Sequence, residues 1–234
     1  MSIATAAPAA TSAQGIDALE QPATQAEPIS KLLKQATREA HESAETTSFV
    51  TDLMGGKLNR AAYVALAAQH RPIYTALEDL GARIAHLPGA ADLVRPELAR
   101  CAALAEDLER LAPDGDLPPV LASTQRYVAR LESLTDLPGY AAHAYTRYLG
   151  DLSGGQAIKA MLQRHYAMPD DCLGFYTFAQ IDKIPPYKAG YRKALDTLPL
   201  DQQGKDRLVA EARAAFGYNE AVFAELGAQF RPES

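Results

Sequence analysis

The chain has 234 residues, a formal net charge of -6 and no tryptophan, a length that fits one domain or at most two. No Lys/Arg stripe is long enough to track a phosphate backbone, which argues against nucleic acid as a partner, and no run reaches the roughly 18 apolar residues of a membrane span. The two cysteines, Cys101 and Cys172, follow no metal or redox spacing, so the composition predicts a cytoplasmic protein with reduced packing thiols and no membrane anchor.

Residues 1–28 are rich in Ala, Thr, Gln and Pro and contain no Lys or Arg. They lack the basic start and apolar centre of a secretory signal and read as a disordered tail, leaving 29–230 as the folded domain. The first helix is predicted over Ile29 to Thr47, with Leu33, Thr37, Ala40 and Ala44 along one face. His41 lies beside that face and Glu45 follows at i+4, so the carboxylate can hold one imidazole nitrogen while the other binds a metal. Ala40 and Ala44 leave space over the ring. Alanine is also simply a good helix former, and a histidine among small residues is commonly a packed or surface side chain. Lys34 stands about two turns earlier on roughly the same side.

A second helix follows Gly55-Gly56 and is predicted from Asn59 to His86, bent at Pro72 because proline cannot donate the backbone bond. Tyr74 on it reads either as a core-edge residue or as a polar tip pointing into a site. His70 and His86 have no carboxylate at ligand-orienting spacing and are read as surface or helix-end residues. A third helix is predicted over Pro96 to Leu111 and a fourth over Val120 to Leu134.

The fifth helical stretch, Ala141 to Tyr166, is the unusual one. Tyr145, Tyr148, Leu149, Leu152, Ile158 and Leu162 fall close to helical spacing, yet Gly150, Gly154 and Gly155 interrupt the middle. Each interior glycine costs about 1 kcal/mol relative to alanine, so three in six residues need a reason. Three readings compete: a hinge between packed helices, a phosphate loop, or a bared backbone against which a flat cofactor lies. The phosphate loop fails, because Gly155 is followed by Gln156 and Ala157 where a Lys and a Ser or Thr are required. Asp151 sits inside the gap, where a carboxylate can act on whatever the backbone faces.

Pro169 to Pro186 reads as loop with little regular structure. Pro185-Pro186 then opens a helix that carries Lys188 and Arg192 at i, i+4. Two like charges so placed are either both solvated or share an anion. The last helix, Asp201 to Phe230, carries Phe216 and Phe223 on its apolar side, as core or as cofactor wall. With no strand pattern, the fold is predicted to be all-α, a single helical domain with a glycine-kinked fifth helix.

AHAYTRYLGDLSGGQ (Ala142 to Gln156) and LKQATREAHESAE (Leu33 to Glu45), followed in order by STQRYVARLESL, PPYKAGYR and AFGYNEAVFAEL, resemble segments of the haem oxygenase family over about residues 29 to 230. The resemblance implies haem b as substrate and cofactor, its iron ligated by His41 with Glu45 on the other ring nitrogen. It also implies a distal helix whose Gly150, Gly154 and Gly155 lie on the opposite haem face. Lys34, Tyr145, Lys188 and Arg192 resemble the family's propionate-binding set, and Phe216 and Phe223 its pocket wall. Asp151 and Tyr74 match a network acting through ordered water. The implied reaction is the oxidative cleavage of haem by dioxygen to biliverdin, carbon monoxide and ferrous iron. Its electrons would come from a ferredoxin or a flavoprotein reductase, and the soluble bacterial-type members are the better match.

Overall fold

The structure is a computed structural model and describes residues 27–232. The expectation of a disordered tail over 1–28 therefore lies almost wholly outside the described residues. Among those described there is no strand, in agreement with the all-α expectation.

The first predicted helix is two, α1 (Ile29–Ala36) and α2 (Arg38–Glu45). The break falls at Thr37, whose φ of -106° and ψ of 1° leave the α region while its buried hydroxyl donates back to the Leu33 carbonyl at 2.8 Å. A short helix that periodicity did not reveal, α3 (Ser48–Met54), follows and buries Phe49 and Leu53.

The next helix, α4 (Arg60–Ile84), is capped by the Asn59 side chain accepting from Ala62 N at 3.2 Å, and its helical backbone runs through Pro72. The helix expected from Pro96 is a single 3-10 turn at Pro96–Leu98 followed by α5 (Cys101–Leu111). Glu78 Oε1 accepts from Arg100 N at 2.6 Å and Cys101 N at 3.0 Å, supplying from α4 the cap that α5 lacks in its own sequence. In the same way α6 (Ala122–Ser133) is capped by Glu225 from the last helix, which accepts from Ser123 N at 2.8 Å.

The glycine-bearing helix, α7 (Leu137–Tyr166), spans 30 residues, starting at an Asp136 cap and ending at Ala167 with a left-handed φ of 48°. Its helical backbone continues through Gly150, Gly154 and Gly155 without a terminus there. The remaining helices are α8 (Ile184–Asp196) and α9 (Gln202–Gln229), the latter opened by Asp201 accepting from Gly204 N at 2.8 Å.

The segment read as loop between α7 and α8 is more organised than expected. Two 3-10 turns, Asp170–Cys172 and Gly174–Tyr176, are pinned by Asp107, which accepts from Gly174 N and Phe175 N at 2.8 Å each. Buried Arg100 donates to the Phe175 and Thr177 carbonyls at 3.1 and 3.0 Å and lies 3.9 Å from the Phe178 ring centroid. Cys101 is half-buried and Cys172 buried, both as free thiols.

Beside a small satellite of Ala67, Ala68 and Leu108, the core is one main cluster, into which α7 and α9 pack lengthwise against each other with α4 and α6 completing the layer. Tyr74, Leu77, Leu80, Tyr127, Leu131 and Leu208 are fully enclosed within it. Both α2 and α7 lean on α9, and the direct contact between α2 and α7 is at most marginal. This placement sets the candidate site.

Candidate functional site

On α2, His41 projects a half-exposed ring, 51% accessible at the side chain, with Nδ1 3.3 Å from Glu45 Oε2. A proton on Nδ1 directed at that carboxylate leaves the Nε2 lone pair free for a metal. Phe216 of α9 meets the imidazole edge-on, centroids 5.6 Å apart and planes at 64°. Phe223, one helical stretch further along α9, stacks instead on Phe49 of α3 at 6.4 Å. Of the two phenylalanines, only Phe216 contacts the histidine ring.

On α7, Asp151 is joined by a chain of polar groups from three helices. The Tyr74 hydroxyl on α4 donates to Asp151 Oδ2, and Arg147 Nε donates to the Tyr74 oxygen at 3.2 Å. The Arg147 guanidinium also lies 4.6 Å from the Tyr74 ring centroid and donates through Nη1 to Asn219 Oδ1 of α9 at 2.8 Å. Its Nη2 is buried and has no protein partner among the described residues, which leaves one strong donor for water or ligand.

Burial raises the Asp151 pKa above the ordinary carboxylate value, and the Arg147 charge, the Tyr74 hydrogen bond and the Arg100 charge pull it back. Burial also works against the Arg147 charge, yet Tyr74, Asp151 and Tyr127 outweigh it and hold the guanidinium protonated. The result is a buried carboxyl group with a pKa above the ordinary value beside a fixed cation.

The three glycines divide into two kinds. A Cβ built at Gly150 or Gly154 meets nothing within 4 Å, so one turn of α7 presents bare backbone to open space. A Cβ at Gly155 would come 3.2 Å from Tyr176 Cδ1, so this glycine admits the α7–α8 segment at close range. The open space lies at Gly150 and Gly154, and Gly155 packs against Tyr176.

Lys188 Nζ reaches α7 and donates to Ser153 Oγ at 2.9 Å. Arg192 is exposed, and its charge, with the Thr37 side chain, opposes the rise that burial gives the Tyr145 hydroxyl pKa. The helix break at Thr37, Tyr145 of α7 and Arg192 of α8 are therefore neighbours. Lys34 is exposed on α1.

Other site features were not found from sequence. Arg147 and Asn219 complete the Asp151 network, and beside them lies a buried relay in which His143 contacts Tyr127 Oη at 3.1 Å through Nδ1 and Glu211 Oε1 at 2.9 Å through Nε2. Arg130 closes the relay on Glu211. A signal existed: His143, Arg147 and Asp151 stand at i, i+4 and i+8, one polar stripe along a single side of α7. His70 also departs from the sequence reading. It is buried, its ring 5.4 Å from Phe175 and 6.1 Å from Tyr74, because it lies one turn before Tyr74 on the inward face of α4. His86 is exposed just past the end of α4, as expected. A separate cleft of about 500 Å³, lined by Arg71, Pro72, Leu108, Val120 and Val128 among others, contains none of these site residues.

These contacts test whether the residues fit haem. An imidazole with one nitrogen committed to a carboxylate, a Cβ-free stretch of helix on a second element, and cations at the edge fit an iron porphyrin bearing two carboxylates. The family model described as heme oxygenase matches residues 27–225. Rat heme oxygenase 1 is 39% identical over 212 residues, covering 88% of this chain and 73% of the relative. Rabbit heme oxygenase 2 is 38% identical over 205 residues, covering 85% of this chain and 66% of the relative, so the chain spans about two thirds of the length of such mammalian relatives. The crystal structure of heme oxygenase-1 from the cyanobacterium Synechocystis in complex with heme superposes with a TM-score of 0.82 at 33% identity, covering 86% of this chain and 93% of that one. The chain belongs to the haem oxygenase family.

Proposed function

We propose that this protein is a haem oxygenase that cleaves haem oxidatively to biliverdin, carbon monoxide and ferrous iron, using dioxygen and reducing electrons. The observation that carries the reading is the pairing of a carboxylate-oriented imidazole on α2 with a bare-backbone turn of α7 that bears Asp151. His41 Nε2 is the iron ligand, and Glu45 fixes the ring's tautomer and direction. Gly150 and Gly154 let the second haem face approach the backbone, and Phe216 forms the wall beside the ligand. Phe223 supports that wall through Phe49, and Gly155 supports the opposite one through Tyr176. Lys34, Tyr145, Lys188 and Arg192 hold the propionates by charge-assisted hydrogen bonds.

Bound haem supplies both the iron at which dioxygen is reduced and the porphyrin carbon that is oxidised. The protein's part is to bring protons and to exclude disorder. Asp151, with its raised pKa, takes up a proton and passes it through water on the open side of α7. Tyr74 holds the carboxyl's direction, and Arg147 keeps Tyr74 in place while Asn219 restrains Arg147.

An acidic redox partner such as a ferredoxin, or a flavoprotein reductase, fits the cations Lys34, Lys188 and Arg192. Action in the cytoplasm suits such a donor, and among the described residues no helix is long and apolar enough to cross a membrane. Reconstitution with haem and a reductase system tests the function by absorption spectroscopy. Biliverdin formation is the expected result. A stable haem complex that never yields biliverdin would make the protein a haem carrier and overturn the reading.

A further inference from the structure

The residue between Asp151 and Gly154 that faces α8 is Ser153, and it makes the contact that ties the open turn of α7 to the cationic edge. Its hydroxyl donates to the Leu149 carbonyl one turn back, at 2.5 Å, and accepts from Lys188 Nζ at 2.9 Å. A serine hydroxyl has one proton and two lone pairs, so the bond to Leu149 fixes its direction and leaves a lone pair for the ammonium. Gly150, Ser153 and Gly154 stand at i, i+3 and i+4, adjacent on one side of the helix.

The partner of Lys188 is neutral, and this matters. Among the described residues neither Lys188 nor Arg192 forms an ion pair with a carboxylate. Burial and the Arg192 charge both lower the Lys188 pKa, so the ammonium sits where a counter-anion is wanted. A carboxylate in place of Ser153 would supply that anion and cancel the attraction for a ligand. A hydroxyl fixes the long side chain without cancelling it.

We propose that Ser153 is the positioning residue for Lys188: it holds the ammonium over the open turn of α7 before haem arrives, and so sets the in-plane orientation in which the propionates are captured. A lysine side chain carries large rotamer entropy, and a chain already held loses less on binding. Because the propionates fix the macrocycle about the iron axis, the same contact decides which meso edge faces Asp151. The inference rests on the propionate role assigned to Lys188 above, and the experiment separates the two.

Ser153→Ala, Ser153→Thr and Lys188→Ala in the full chain are titrated with haem at the Soret band, and the haem methyl signals of the ferric complexes are recorded by proton NMR. Ser153→Ala is expected to weaken haem binding up to about tenfold, the net scale of one typical hydrogen bond, and to change the ratio of haem orientations. Ser153→Thr, which keeps the hydroxyl, is expected to restore the wild-type ratio. Thermal melting of the haem-free Ser153→Ala protein should not fall, since alanine is the better helix former; a loss of binding explained by a lowered melting temperature would overturn the proposal. If Lys188→Ala alters affinity or orientation while Ser153→Ala matches wild type in both, the proposal fails and the propionate reading stands. If Lys188→Ala itself matches wild type, the propionate reading fails and takes the proposal with it.

Discussion

On α2, His41 and Glu45 are exposed and meet little besides each other and the edge of Phe216, whereas on α7 Asp151 and Arg147 are tied to Tyr74 of α4 and Asn219 of α9. Only Ala44 is buried in the eight residues of α2, while α7 buries fifteen of its thirty. Both helices lean on α9, so the contrast does not come from one of them standing apart from the fold. A helix with few buried apolar contacts opens and shifts at low cost, and one laced into a core does not. On the function proposed above, the side that would ligate iron is built to adjust around a disc that must enter, and the side that would deliver protons is built to be in place beforehand.

If this division is right, the largest effect comes from removing the adjustable side's only ligand. His41→Ala should lower turnover by roughly a hundredfold or more, beyond the 10–100-fold range of losing a ligand's supporting contact, and free imidazole should restore part of it. Retention of wild-type Soret position and turnover would show that the iron is held elsewhere. On the fixed side, Asp151→Ala should leave haem affinity near wild type but reduce biliverdin formation by about a hundredfold, the lower end of general acid–base contributions. Unchanged biliverdin yield would remove Asp151 from proton delivery.

The comparison also has a pH signature that needs no haem. Burial raises the Glu211 pKa, but hydrogen bonds from His143 and Arg130, with the Arg130 charge, outweigh it and bring the carboxyl to about 2, against 4.5 for an ordinary glutamate. A depressed carboxylate contributes stability that is present above the unfolded value and lost as pH falls from about 4.5 through 2, worth about 3 kcal/mol at most. Burial lowers the His143 pKa against the pull of Glu211, so the unfolded state gains its proton first as pH falls below 6.5. Both effects have the same sign. Urea melts should therefore weaken steadily from pH 7 to pH 3, and Glu211→Gln should flatten the lower part of that slope. A wild-type slope unchanged by Glu211→Gln would show that the relay does not stabilise the side of the fold that carries Asp151.

The long helices could be read in the sequence because their apolar repeat and their caps agree. Asn59 and Asp201 stand where their helices were predicted to begin and each accepts a backbone bond there, whereas α7 begins after an Asp136 cap, four residues before the Ala141 read from sequence, because its first turn accommodates Pro138. The break at Thr37 was hidden because threonine sits on the apolar stripe without interrupting it, and α3, at seven residues, is shorter than two turns. His41, Glu45 and Asp151 were legible through local spacing and family resemblance. Arg147, Asn219 and the His143 relay were not, because a buried polar residue is defined by partners about 70 residues away. The same holds for Asp107 and Arg100, which order the α7–α8 segment from outside it. His70 was misread because burial depends on which face of α4 turns inward, and its missing carboxylate says only that it is not an oriented ligand.

The smallest effect sharpens the contrast most. Glu45→Gln keeps the shape beside His41 Nδ1 and an oxygen that can accept from it, but removes the charge. Were α2 as firmly held as α7, the ring's direction would survive the change and only the electron donation to the iron would weaken. On a helix held so lightly, the charged contact is also what directs the ring, so the substitution should both lower haem affinity by about tenfold and broaden the haem NMR lines. Asn219→Ala, the matched removal of a supporting contact on the other side, should leave those lines sharp, because Tyr74 still restrains Arg147. Equal broadening in the two variants would mean that the two sides are held alike, and the difference drawn between them would be lost.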